Sequence, residues 1–105
     1  MTRKEELIML SVFNLKKEAY LVAIVDHLSK ITGKKVSLTS VHLPLGRLEN
    51  AGLIESELGE STAVRGGRRK KIYKVTKLGF EMLAEHKRIS DTLWKNYIRL
   101  SNPRD

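Results

Sequence analysis

Residues 65 to 71 read R-G-G-R-R-K-K, five cations and two glycines in seven positions. The chemistry available to such a run is anion pairing. Guanidinium forks match phosphate or carboxylate oxygens two at a time, and lysine adds a point charge. The glycines let a backbone come close to its partner. From Arg65 to Lys77 there are seven cations and no acid. A run like this can be a solvated loop and nothing more. Here it lies inside the chain, between two strand-like runs, and that position points to phosphate contact by Arg65, Gly67, Arg68, Arg69, Lys70 and Lys71. Lys74, on a strand, fits either reading.

A second polar set lies upstream. Ser37 can cap a helix, because its hydroxyl accepts from a free backbone N–H. Past it, Val41, Leu45 and Leu48 share one face, and Thr39, Ser40, His42, Arg47 and Asn50 lie opposite. Small and polar side chains on one helix face can hydrogen-bond base edges or phosphates. They can equally be a plain solvated face. Arg47 has two readings, a base contact or a pair with an acid of the same domain.

Other chemistries find no support. There is no Cys, which removes disulfides, thiol chemistry and Cys-based zinc sites. His27, His42 and His86 stand far apart, and no acid pattern completes a metal site with them. No nucleophile–base pair, phosphate-cradling glycine loop or acid pair occurs in a motif. The expectation is a protein that is not an enzyme and holds neither cofactor nor metal.

Something must position the two sets. The chain has 105 residues, 41% hydrophobic, which fits one domain with a thin core. Twenty Lys and Arg against 12 Asp and Glu give a net charge of +8, favouring an anionic partner. No apolar run approaches the ~20 residues of a membrane span. The start, M-T-R-K-E-E, does not read as a signal peptide, so the expected place is the cytoplasm.

The spacing predicts a first helix over Glu5 to Phe13, apolar on nearly every side and so buried against a second subunit as well as the core. After a break at 14–16, Lys17 to Thr32 show helical periodicity and Gly33 is a stop. Lys35 and Val36 suggest a short strand. The third helix runs from its Ser37 cap to Gly52, with Pro44 expected to strain or kink it. Leu53 to Leu58 and Ile72 to Val75 read as strands joined by the long loop 59–71. Thr76 can cap a last helix from Lys77 to about Leu100, with a tail over 101–105. Its narrow stripe of Leu78, Met82, Ile89, Leu93, Tyr97 and Leu100 is of coiled-coil type. With Trp94 beside it and Leu7 and Leu10 of the first helix, this stripe is the expected dimer interface, and His86 is expected to pack at its seam.

The order is helix, helix, short strand, helix, hairpin, helix: an α+β, mainly helical chain with a helix-turn-helix followed by a wing. Residues 1–76 would form the DNA-binding domain and residues 77–105 the C-terminal dimerisation helix and tail of one compact unit. The wing would hold phosphates while the third helix reads bases.

Five stretches carry a resemblance: E-A-Y-L-V-A-I (18–24), T-G-K-K-V-S-L (32–38), V-H-L-P-L-G-R-L-E-N-A-G-L-I (41–54), L-G-E-S-T-A-V-R-G-G-R-R-K-K-I-Y-K-V-T (58–76) and L-G-F-E-M-L (78–83). Together they resemble the PadR family of winged-helix transcriptional regulators over about three quarters of the chain, in its short branch with a single C-terminal helix. The resemblance implies a homodimer, formed through the first and last helices, that binds a pseudo-palindromic double-stranded operator, most often to repress. His42 stands where many members have Tyr, Pro44 lies one position later than their common proline, and Leu21 replaces a frequent glycine. The resemblance also implies a second role for Trp94. Besides interface packing, a tryptophan of this helix stacks flat hydrophobic effectors in some members. Two other classes stay open: a winged helix whose basic wing docks an acidic protein, and a nucleic-acid binder without a defined operator.

Overall fold

A computed structural model describes residues 1–59 and 70–101. Helix α1 spans Arg3–Leu15, starting two residues before the apolar run suggests. The cause is a capping box. Thr2 Oγ1 accepts from the Glu5 N–H at 3.1 Å, and Glu5 Oε1 accepts from the Thr2 N–H at 2.8 Å. The second helix, α2, begins at Leu21 and not at Lys17. Lys16 takes a positive φ of 52°, residues Lys16–Glu18 form a single 3-10 turn, and Ala19 is fully buried before extended Tyr20 starts the helix. Gly33, at φ 71°, closes α2 at Thr32.

No strand forms at Lys35–Val36. The Val36 N–H donates to the Ser29 hydroxyl instead. The position beside the second wing strand is taken by the 3-10 turn, since the Tyr73 N–H donates to the Ala19 carbonyl at 2.8 Å. Helix α3, Leu38–Asn50, has its Ser37 cap in place and is continuous through Pro44, whose ring lies on the buried side. Gly52, at φ 77°, turns the chain into the wing.

The wing pairs β1 (Ile54–Leu58) with β2 (Lys71–Val75) antiparallel, with Ile54 opposite Val75, Ser56 opposite Tyr73 and Leu58 opposite Lys71. Its neck is closed by the Gly59 N–H donating to the Lys70 carbonyl. Helix α4 spans Lys77–Ser101. Its Thr76 cap accepts from the Gly79 N–H and donates to the Gly52 carbonyl at 2.7 Å, tying the helix start to the end of α3.

The core gathers Ile8, Met9 and Val12 of α1, Ile24 and Leu28 of α2, Val41, Leu45 and Leu48 of α3, and Ile54, Tyr73 and Val75 of the wing. From α4, the side chains of Met82 and Leu83 pack against it, partly buried. At ~1.5 Å per residue a 25-residue helix is about 38 Å long, so most of α4 extends past the core. The molecule measures 64 × 29 × 20 Å, with a radius of gyration of 16.7 Å against ~13 Å for a compact chain of this length.

Candidate nucleic-acid interface

Burial of Val41, Pro44, Leu45 and Leu48 fixes the orientation of α3. The outward face carries Thr39, His42, Leu43, Gly46 and Asn50, all exposed. The side chains of Thr39, His42 and Asn50 form no hydrogen bond among the described residues and remain available to a ligand. Ser37 and Ser40 have jobs inside the fold. Ser37 Oγ accepts from the Ser40 N–H at 3.2 Å, and Ser40 Oγ donates to the Ser37 carbonyl at 2.8 Å.

Leu43 was not visible to sequence reasoning as a site residue. It sits 58% exposed at the middle of this face, between Thr39 and Asn50. Apolar contact with a thymine methyl is one way such a side chain reads DNA. Its signal was present but weak: a leucine out of phase with the core stripe.

Arg47 lies toward α1. Its Nε is 3.8 Å from Glu5 Oε2, with the guanidinium still largely exposed. Glu5 is held below the ordinary carboxylate pKa, chiefly by the Thr2 backbone N–H, then by the Thr2 hydroxyl and Arg47. Of the two readings of Arg47, the structure shows the pair with an acid of the same domain, Glu5.

Of the cationic run, Arg65, Gly67, Arg68 and Arg69 lie outside the described residues. Lys70 and Lys71 lie within them, and both touch their own domain. The Lys70 ammonium sits 4.0 Å from the centroid of the Tyr20 ring, a cation–π contact with the start of α2. Lys71 Nζ is 3.4 Å from Glu49 Oε1 of α3. Ser56 Oγ donates to the other oxygen of the same carboxylate at 2.5 Å. The Glu49 carboxyl is held below the ordinary range, first by Ser56 and then by Lys71. Burial raises the Tyr73 phenol pKa on the same strand.

A further group of cations lies at the opposite end of α3. Lys30, Lys34 and Lys35 flank the turn before it, are exposed, and form no ion pair among the described residues. The outward face of α3 thus lies between a turn of unpaired lysines and the wing. In the sequence Lys35 reads only as part of a short strand, and Lys30 and Lys34 carry no assigned role.

The residues expected at a dimer seam divide in two. Leu7 and Met82 are partly buried against the core. Leu10, Leu78, Ile89, Leu93, Trp94, Tyr97 and Leu100 are exposed, Leu93 at 63% and Trp94 at 58%. Phe13, Phe80 and Ile98 are exposed beside them. The Trp94 and Tyr97 rings meet edge to face at 5.4 Å. With Ile89, Leu93, half-buried His86, Arg3 and Glu6 they line an open groove of about 660 Å³ between α1 and α4. Among the described residues no group of three or more His, Cys, Asp and Glu side chains could hold a metal ion, and no helix is long and apolar enough to cross a membrane.

The family model for the transcriptional regulator PadR-like family matches residues 9–85. No curated protein matches the chain. Among solved structures, a PadR-like transcription factor from Bacteroides fragilis is 29% identical, with a TM-score of 0.73 over 94% of this chain and 93% of that one. A PadR family transcriptional regulator from Eggerthella lenta is 27% identical, with a TM-score of 0.71 over 96% and 86%. A PadR-like transcriptional regulator from Bacillus cereus is 26% identical, with a TM-score of 0.71 over 94% of each chain.

Proposed function

This chain belongs to the PadR-like family of transcriptional regulators, and we propose that it is a repressor that binds a pseudo-palindromic operator as a homodimer. Residues 1–76 serve as the DNA-binding unit and residues 77–105 as the dimerisation helix and tail. The observation that carries the reading is the outward face of α3. Its hydrogen-bonding side chains Thr39, His42 and Asn50 have no partner among the described residues, and cations stand beyond both of its ends.

In this reading α3 enters the major groove, where Thr39, His42 and Leu43 meet base edges. The major groove is about 12 Å wide and a 13-residue helix about 20 Å long, so the two ends of α3 come near opposite phosphate walls. Lys30, Lys34 and Lys35 meet one wall. Arg65, Arg68, Arg69 and Lys70, with Gly67 allowing close approach, meet the other. Ser37 and Ser40 hold the helix start at the groove, and Arg47 stands at its rim. The α4 helices of two copies, with α1, cover the exposed Leu93 stripe and set the half-sites about 34 Å apart or a multiple of that. In the same reading a flat hydrophobic effector stacks on Trp94, which lines the open α1–α4 groove with Ile89, Leu93 and Tyr97.

Fluorescence anisotropy at ~0.15 M salt, comparing DNA from upstream of the protein's own gene with a scrambled duplex of equal length, tests this reading. A preference of about 10³-fold or more is expected of an operator. Equal, weak binding to both, and to a wider panel of genomic duplexes, would overturn it in favour of a wing that docks an acidic protein or holds DNA without sequence preference.

A further inference from the structure

Within the cationic run, Lys71 differs from its neighbours in the face it occupies. Strand alternation puts Lys71, Tyr73 and Val75 of β2 on the same face as Ile54, Ser56 and Leu58 of β1. This is the inner face, because Ile54, Tyr73 and Val75 are core residues. Glu55 and Lys74 lie on the outer face and are exposed.

On the inner face both wing strands meet a single carboxylate. Glu49 lies in the last turn of α3, and its side chain is 32% exposed. Oε2 accepts from Ser56 of β1, and Oε1 accepts from Lys71 of β2 at 3.4 Å. One acid on the DNA-reading helix is therefore bonded to each strand of the wing. The Lys71 ammonium also lies 5.7 Å from the Tyr73 ring, on the domain side of the sheet.

We propose that Glu49 is a positioning residue that latches the base of the wing to α3, and that Lys71 serves this latch rather than contacting phosphate. The proposal rests on the DNA-binding reading above and divides the cationic run by task. The residues before Lys71 meet the anion, and Lys71 fixes the angle at which they do so. An acid at this position would otherwise only oppose binding, because its charge repels phosphate. As a latch it serves discrimination. The wing and α3 then meet the duplex in one fixed relationship, which a matched site satisfies and a random one does not. Glu49→Gln keeps an acceptor for Ser56 and the side-chain shape, and removes the attraction for Lys71.

The test measures wild type, Lys71→Met, Glu49→Gln and the double variant Lys34→Ala/Lys35→Ala, each by anisotropy over a salt series. The duplexes are the one wild type prefers and its scrambled counterpart, and melting curves confirm that each variant folds. A true phosphate contact contributes about 0.9 to the slope of log affinity against log salt. Lys71→Met is expected to leave that slope unchanged on both duplexes, and Glu49→Gln to reduce the preference for the matched duplex by about fivefold or more. A slope lowered by about 0.9 in Lys71→Met would overturn the proposal. So would a wild-type preference in Glu49→Gln. If wild type prefers no duplex, the operator reading fails by itself. The slope of Lys71→Met on scrambled DNA then still decides whether Lys71 meets phosphate.

Discussion

The rings of Phe13 and Phe80 meet edge to face, with centroids 5.6 Å apart and planes at 88°. They join α1 to the first turn of α4, although each ring remains about half exposed. The pair therefore has a second open side. A double-mutant cycle with Phe13→Ala and Phe80→Ala should give a coupling of about 0.5–1.5 kcal/mol for the pair. Chemical denaturation at several protein concentrations would measure it. If a second copy covers the rings, the single variants should also make the midpoint depend less on concentration, because the weakened dimer contributes less by mass action.

Leu93 tests the α4 stripe more directly. It is 63% exposed on a helix that projects beyond its own core, between Ile89 and Tyr97. An aspartate there would cost little in a monomer and much in a helix–helix seam, where an unpaired charge loses its water. Leu93→Asp is expected to shift the protein to a monomer in sedimentation velocity while leaving far-UV circular dichroism at low concentration nearly unchanged. Operator affinity should fall with it. A monomer that retained wild-type operator affinity would remove the dimer from the mechanism.

Gly79 marks a close approach of backbones. A Cβ built there would overlap the Leu53 carbonyl oxygen and lie 2.8 Å from Val75 Cγ1. The Gly79 N–H is also the donor to the Thr76 cap. Gly79→Ala must push the start of α4 off the wing, and overpacking of this kind costs about 1–3 kcal/mol. Thermal melting should show the loss. Gly46→Ala serves as the control, since nothing lies within 4 Å of its added Cβ.

Gly79 also shows where sequence reading stops. The caps at Ser37 and Thr76 and the stops at Gly33 and Gly52 were legible, because each is a local requirement of backbone geometry. The core face of α3 was legible from its period. Tertiary effects were not. The start of α2 at Leu21 depends on Ala19 being buried and bonded to Tyr73, residues far apart in sequence. The supposed strand at Lys35–Val36 had the composition of a strand but pairs with no strand among the described residues. Glu49 stood inside the stretch that carries the family resemblance, yet nothing in a one-dimensional pattern says that its two oxygens meet Ser56 on one strand and Lys71 on the other.

Base reading and phosphate anchoring should separate by experiment. Thr39→Ala and His42→Ala are expected to cost about 1–3 kcal/mol on the matched duplex and little on the scrambled one. Lys34→Ala/Lys35→Ala should weaken both duplexes alike and lower the salt slope by about 0.9 for each lysine that pairs with a phosphate. The same anisotropy titrations measure both. A uniform loss for Thr39→Ala and His42→Ala would assign those residues to the backbone of the duplex.

Glu49 gives the protein a specific response to acid. The Ser56 hydroxyl, and then Lys71, hold its folded-state pKa below the value near 4.5 expected for the unfolded chain. A depressed carboxylate stabilises the fold fully above the unfolded pKa, and that contribution is lost as pH falls through the folded pKa. Wild type should therefore be more stable than Glu49→Gln at pH 7, and the gap should close progressively below about pH 4.5. Paired melting curves from pH 7 down to pH 3 would show this. A gap that stayed constant across that window would mean that the carboxylate gains nothing from Ser56 and Lys71, and that the contact between α3 and the wing depends on shape alone.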